Sequence, residues 1–313
     1  MNTIRPLPGE SALVRNLLAG EFAVTAEVVP PLSCDPDELL AKAEPARGYV
    51  DSINVTDGAG ARPHLASLAA AAILVQNGYE TVLQFTCRDR NRLALQSDLL
   101  GAGAFGIQNI LILGGDDPKA GDQPDAKPVF DLDTLGLLAT ARKMRDENRL
   151  PSDREIGATP NLFLGIADTP IEPARNWKPD RLLEKIQTGA QFAQMQFCFD
   201  IGVLTRYVAR LRDHGVTDRL FLLPGMGPIR SAKSARWMRD NLWGVIMPDE
   251  IISRLEAAKD ESAEGRSICI EMIEQMREID GVSGVHIMAI GQQEAIAEIV
   301  TETKIGPSQR QAD

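Results

Sequence analysis

Carboxylates and amides that interrupt short apolar runs are the side chains of this protein best placed to do chemistry. Glu27 stands inside Ala23-Val24-Thr25-Ala26-Glu27-Val28-Val29, and Thr56-Asp57 ends the run Ile53-Asn54-Val55. Thr86, Asp116, Asp168, and Gln196 with Asp200 close four further runs, and a Pro224-Gly225 backbone follows another. An ionised group set among apolar residues is costly to bury unless it is paired or used. Glu27 is the strongest of these, because a carboxyl in apolar surroundings is the usual form of a general acid. Its other readings are an ion pair with Arg or Lys, or a side chain turned outward between helices. Asp116 follows Gly114-Gly115, whose lack of side chains lets a flat or phosphorylated ligand approach the backbone, with the carboxylate at its edge. A turn, or a helix cap before Pro118, would explain Asp116 equally. Gln196 is an uncharged donor and acceptor suited to reading a heterocycle, or else a hydrogen-bonded core amide.

The remaining chemistry-bearing residues exclude more than they suggest. His64, His214 and His286 have no metal-triad spacing, and no catalytic Ser-His-Asp order, nucleophile elbow or phosphate-binding P-loop is present. Cys34, Cys87, Cys198 and Cys269 form no C-x-x-C pair or zinc pattern and read as free thiols in a reducing cytosol. No metal is expected, which leaves cofactor or acid–base chemistry. The net charge of -11 argues against nucleic acid and anionic membranes as partners. It leaves room for anionic small ligands gripped by a few local Lys and Arg. No apolar run approaches the ~18 residues of a membrane span, and 1–22 lacks a signal-like core, so a cytoplasmic protein is expected.

Positioning those side chains requires a repeated unit. Apolar strand-like runs recur at Phe22–Val29, Tyr49–Thr56, Thr81–Cys87, Asn109–Gly114, Asn161–Ala167, Phe192–Phe199, Arg219–Leu223 and Gly284–Ile290. Stretches of helical periodicity separate them: Asp35–Ala46, Pro63–Gln76, Arg90–Gly101, Asp133–Asn148, Pro179–Gly189, Gly202–His214, Ser231–Asn241 and Ala263–Ile279, with a last one near Gln292–Thr303. Eight alternations of strand and helix predict an α/β fold, a parallel (β/α)8 TIM barrel closed on itself. An open doubly wound sheet usually carries G-x-G-x-x-G after its first strand, and here that position reads Glu27-Val28-Val29-Pro30-Pro31. A single domain over 1–313 is expected, with an N-terminal extension over about 1–20 and a C-terminal tail over about 304–313. The long stretches Asp116–Phe130 and Ile166–Lys178 follow strands and belong at the C-terminal face, where barrel enzymes keep their chemistry.

In this order the strand ends resemble the methylenetetrahydrofolate reductase family. Glu27-Val28-Val29-Pro30-Pro31 is similar to its E-F-F-P-P, Ile53-Asn54-Val55-Thr56-Asp57-Gly58-Ala59 to its V-S-V-T-x-G-A, and Phe85-Thr86-Cys87 to its H-L-T-C. Leu113-Gly114-Gly115-Asp116-Asp117-Pro118 resembles L-R-G-D-x-P, Gln196-Phe197-Cys198-Phe199-Asp200 resembles T-Q-x-F-F-D, and Pro224-Gly225-Met226-Gly227-Pro228-Ile229 resembles P-G-I-x-P-I. The resemblance implies a FAD-containing barrel that reduces 5,10-methylenetetrahydrofolate to 5-methyltetrahydrofolate, with NADH as electron donor. It implies catalytic roles for Glu27 and Asp116, and folate contacts from Glu27, Asp116, Gln196 and Phe199. Cofactor contacts are implied for Thr56, Gln84, Gly114, Gly115, Asp116 and Phe130, with Arg181 and Lys185 on one helical face for the phosphates. A solvated surface face is the other reading of that last pair. A homo-oligomer is left open.

Departures from the family pattern cluster on the flavin side. Gly114 replaces an Arg, Gln84 a His, and Ala167-Asp168-Thr169-Pro170-Ile171 the P-E-x-H-P loop. Glu184-Lys185 stands for Arg-Lys, and Gln292 for the Arg of T-L-N-R. Weaker flavin binding is therefore expected than in the rest of the family. Two competing readings follow: a folate-binding accessory barrel or flavin-independent relative needing another electron donor, and a pterin methyltransferase, for which no zinc or corrinoid site is seen.

Overall fold

The computed structural model describes residues 11–307. Eight parallel strands close on themselves in chain order. They are β1 Ala23–Val28, β2 Ser52–Val55, β3 Thr81–Thr86, β4 Asn109–Leu113, β5 Phe163–Asp168, β6 Phe192–Phe197, β7 Phe221–Met226 and β8 Gly284–Ile287. Every run read as a strand from the sequence is one. Closure comes from β1 pairing with β8, Thr25 lying opposite His286.

The helices are α1 Ala12–Leu18, α2 Pro36–Ala43, α3 Ser67–Gln76, α4 Arg92–Ala104, α5 Thr134–Asp146 and α6 Asp180–Thr188, then α7 Ile201–Asp213, α8 Ala232–Asn241, α9 Asp249–Ala257, α10 Glu261–Arg277 and α11 Ala295–Thr303. Many start where a short polar side chain accepts from first-turn amides: Asp35, Asn91, Asp133, Asp200, Ser231 and Asp260 all do so. Asp200 is thereby accounted for as the cap of α7, donating nothing to a site.

Two helices were not legible in the sequence pattern. One is α9, between β7 and β8. The other is α1, inside the stretch set apart as an N-terminal extension. Leu13, Val14 and Leu17 of α1 are buried and pack with Ala23, Val82, Leu111, Phe163, Phe192 and Leu223, which close the N-terminal end of the barrel. The Phe163 and Phe192 rings stack there at 4.9 Å. Glu80 fastens the helix by accepting from the amides of Ala12 and Leu13 at 2.6 and 2.9 Å. Residues 1–10 of the extension, and 308–313 of the expected tail, lie outside the described residues.

The sixth and seventh strands depart from regular pairing. Gln194 faces Leu223 and Phe197 faces Gly225, so Met195 and Gln196 together oppose Pro224. Proline has no N–H to give a neighbour, and a bulge is where a sheet tolerates it. The sequence reading ended this strand at Leu223; it continues to Met226 because the bulge accommodates the proline.

Candidate active site

Side chains pointing into the barrel change character with height. Above the apolar base lies a polar layer with Thr25 and Asn54 fully buried and Gln194 and His286 at 3% exposure. Asn54 and Gln194 pair their amides reciprocally, the Gln194 Nε2 donating to Asn54 Oδ1 at 2.9 Å. The same Nε2 donates to Thr25 Oγ1 at 2.9 Å, and that hydroxyl lies 2.9 Å from His286 Nδ1. A buried polar layer of this kind is tolerable only when its members satisfy one another. Barrels usually fill this space with branched aliphatic residues.

Glu27 sits on top of that layer. Its Oε2 accepts from Gln84 Nε2 at 3.0 Å and stands 3.8 Å from His286 Nε2, with 17% of its side chain exposed. Among the described residues no Lys or Arg pairs with it, so neither the ion pair nor the outward-facing alternative applies. Both contacts converge on Oε2, which leaves Oε1 for a ligand at the barrel mouth. Gln84, assigned by resemblance to the cofactor, donates its Nε2 to Glu27.

The other strand-end residues are brought to the same C-terminal end in different settings. Asp57 accepts from Arg90 through two bonds of 2.7 and 2.9 Å, from Ser67, and from the Thr86 amide and hydroxyl. Burial pushes the Asp57 carboxyl up, but Arg90 and Thr86 outweigh it, and the net shift is below the usual value of 3.8. Asp57, Thr86 and Arg90 thus form a structural knot. Thr56 is buried and its hydroxyl has no hydrogen-bond partner among the described residues. Asp116 is exposed and accepts from the Gly60 amide at 2.9 Å, while Arg88 bonds its carbonyl. These contacts tie the loop after β4 to the loop after β2.

Gln196 donates to the Trp243 carbonyl at 3.0 Å and accepts from the Phe197 amide. The segment carrying Trp243 runs beside the end of β6, Phe199 N bonding Ile246 O and Ile246 N bonding Phe197 O. Trp243 itself is 81% exposed. Phe199, expected at the folate, is buried and stacks on Phe197 at 5.8 Å, so it backs the wall without lining it. Phe130 is 47% exposed, in a loop fastened by Val129 N to Arg88 O. Gly115 has φ +94, and a Cβ there would lie 2.9 Å from Arg88 Cβ, so glycine is required. Gly114 carries no such demand, since a Cβ would meet nothing within 4 Å.

A cavity of about 1020 Å³ opens between the loop after β5, the start of α6 and the segment 243–246 that follows α8. Lys178, Arg181 and Lys185 reach it, as do Asp168, Glu172 and Asp180, with Trp177 and Trp243 as aromatic surfaces. Arg181 and Lys185 do share this wall; Lys185 donates to the Ala167 carbonyl at 3.0 Å. Asp168 accepts from Tyr207 Oη at 2.8 Å. Burial raises the Asp168 carboxyl and lowers the Lys185 ammonium, each opposing the other's shift only in part. Perturbed groups of this kind are a mark of functional clefts.

Other chemistries have less to work with. Burial pushes the Cys87 and Cys198 thiols up to about 11, away from the thiolate that a nucleophile needs. The described residues contain no group of three His, Cys, Asp or Glu able to hold a metal, and no helix long and apolar enough to cross a membrane.

Solved structures include a protein from Clostridium thermocellum, described as binding two copies of 5-methyl-5,6,7,8-tetrahydrofolic acid. It superposes with a TM-score of 0.64, covering 93% of this chain and 98% of that one, at 13% identity, which establishes likeness of fold. A 5,10-methylenetetrahydrofolate reductase of Pectobacterium carotovorum is 26% identical over 291 residues, 88% of each chain. A probable methylenetetrahydrofolate reductase (NADPH) of Caenorhabditis elegans is 27% identical over 243 residues; the match takes in 75% of this chain and about a third, 34%, of that longer one. The family model for methylenetetrahydrofolate reductase matches residues 13–304, from α1 to the end of α11, and by that match this chain belongs to the methylenetetrahydrofolate reductase family.

Proposed function

We propose that this protein reduces 5,10-methylenetetrahydrofolate to 5-methyltetrahydrofolate, with Glu27 as the proton donor. The observation that carries the reading is Glu27 itself: a partly exposed carboxyl at the mouth of a family barrel, held by Gln84 through one oxygen, with His286 Nε2 standing 3.8 Å from that same oxygen. Reduction first needs the substrate's five-membered ring to open. A proton goes to the departing amine nitrogen, leaving a carbon–nitrogen iminium, and a hydride added to that carbon completes the methyl group. Glu27 would give the proton from Oε1, the oxygen that Gln84 and His286 leave free, while the side chains at the C-terminal end of the barrel orient the folate. Such a donor contributes typically ~10²–10⁴-fold to rate.

The residues present fit a phosphate-bearing aromatic cofactor. Lys178, Arg181 and Lys185 would hold the phosphates of FAD, Trp177 or Trp243 would supply stacking surface, and the space beside Gly114 leaves the backbone open to close approach. The chemistry a flavin supplies when bound is hydride delivery, recharged by NADH. Asp116, near the rim, would hold the loops that frame it.

A second reading is favoured by a specific feature: the three cations share their wall with Asp168, Glu172 and Asp180, and among the described residues no cation lies within 4 Å of the space beside Gly114. In it, the barrel reduces folate using a hydride donor other than resident FAD. Anaerobic assay with folate substrate, FAD and NADH tests the reaction, and omission of FAD separates the two readings. No folate turnover under any donor combination would remove the proposal.

A further inference from the structure

We propose that His286 is the positioning residue of the Glu27 proton donor, held as a neutral imidazole with its proton on Nε2. The proposal rests on the reading of Glu27 as the acid, and adds to it a residue that spacing alone leaves as an isolated histidine in a strand.

The polarity follows from counting protons in the buried layer. The Gln194 amide nitrogen donates to Thr25 Oγ1, at 2.9 Å. The Thr25 hydroxyl has one proton of its own, and its other polar neighbour at hydrogen-bond distance is His286 Nδ1, also at 2.9 Å. That proton therefore goes to Nδ1, which accepts it, and the ring proton belongs on Nε2. Which ring nitrogen carries the proton is set by the bond the other one makes. Gln194 Oε1 is taken up by Asn54 Nδ2, and Nε2 is the Gln194 atom turned to Thr25.

An Nε2–H on His286 points the last donor of the chain at Glu27 Oε2, 3.8 Å away. Gln84 Nε2 reaches the same oxygen at 3.0 Å. Catalytic contacts that are long in a free enzyme commonly tighten when substrate binds. With Gln84 on Oε2 and the His286 Nε2–H facing that same oxygen, the transferable proton of the acid is left to Oε1, the oxygen free for the mouth. Rotation of the carboxyl would aim that proton into the barrel, so His286 acts on the geometry of transfer and touches no reacting atom.

Two variants and one spectrum test this. His286→Gln places an amide N–H near the position of Nε2, whereas His286→Asn reaches only as far as Nδ1. Misaiming a reacting group by an ångström can lower a rate by roughly 100-fold. His286→Asn is therefore expected to lower kcat for folate reduction by about 10-fold or more, with the folate KM within about 3-fold of wild type. His286→Gln is expected to recover most of that loss. Equal loss in both variants, or a change confined to KM, overturns the positioning role. Independently of turnover, ¹⁵N spectra of histidine-labelled wild type are expected to show His286 protonated at Nε2 and bare at Nδ1. A proton on Nδ1 overturns the proposal even if the variants fail to fold. Wild-type protein that does not reduce folate would instead count against the reaction, and the nitrogen spectrum would still decide the tautomer.

Discussion

At the scale of single residues, the difference between a functional carboxylate and a structural one is the number of bonds each already makes. Asp57 receives five hydrogen bonds from Arg90, Ser67 and Thr86, and Asp200 caps a helix. Glu27 keeps one oxygen uncommitted. Replacing Glu27 by Gln keeps its size and removes the proton, so folate reduction is expected to fall by ~10²–10⁴-fold. Any reduction of added flavin by NADH should be spared, because that half-reaction needs no proton at the folate nitrogen. Stopped-flow measurement of the two half-reactions checks this, and near-normal folate turnover would remove Glu27 from the mechanism. Gly114 supports a converse experiment. The space beside it accepts a side chain, and a charge-assisted hydrogen bond contributes roughly 1.5–3 kcal/mol, where ~1.4 kcal/mol is tenfold in affinity. Gly114→Arg, restoring the family's cation, is expected to tighten FAD binding by about 10-fold in fluorescence titration. Unchanged affinity would show that the flavin side is weakened elsewhere, with Asp168 and Glu172 the next candidates.

At the scale of elements, the loops after β2, β3 and β4 behave as one clamp built around Arg88. Its side chain is 5% exposed and its guanidinium bonds the Gly58 and Asp116 carbonyls, while the Asp116 carboxylate accepts from the Gly60 amide. Gly115 lies over the Arg88 stem with φ +94. An alanine there suffers both a left-handed backbone and a close contact, at a cost of about 1–3 kcal/mol. Gly114→Ala lacks both penalties and should change stability by less than about 0.5 kcal/mol. Denaturant melts of the two neighbouring variants give the comparison, and equal stabilities would contradict the clamp. The β6 bulge is the second element-level device. Past the bulge that sets Met195 and Gln196 against Pro224, Phe197 still pairs with Gly225, and Cys198 then takes Ile246 of the Trp243 segment as neighbour.

For the whole molecule, polar groups buried between elements make stability depend on pH. Asp57 lies below its ordinary value in the fold, so it binds protons more weakly there than in the unfolded chain. Its contribution is present above the unfolded carboxylate value, about 3.9, and is lost as pH falls through the lower folded value. Breaking a buried pair by removing one partner costs about 3–5 kcal/mol. Asp57→Asn is thus expected to destabilise by about 3 kcal/mol at pH 7, allowing for the 18% exposure of Arg90. The gap between variant and wild type should narrow below pH 4, as seen in urea melts at several pH values. A gap that stays constant down to the acid transition would mean that Asp57 acts by packing alone.

What the sequence by itself determined is what local periodicity and residue type can carry. All eight strands, most of the helices and the end of the barrel that bears Glu27, Thr56, Asp116 and Gln196 were legible, because a βα repeat writes its period into consecutive apolar runs. Glu27 was legible for the same reason, as a charge out of place in such a run. Only the tertiary structure decided which polar residues meet. Thr25, Asn54, Gln194 and His286 lie on four strands, up to 261 positions apart, and each alone is an ordinary strand residue. Barrel closure puts them in one layer, where mutual satisfaction is the condition for burying them at all. The α1 plug was missed because a seven-residue helix is too short to show its period, and its apolar side matters only against the barrel base. The Gln84–Glu27 bond and the Phe197–Phe199 stack were not legible either, since a strand pattern tells which face a side chain takes and not which neighbour on that face reaches it first.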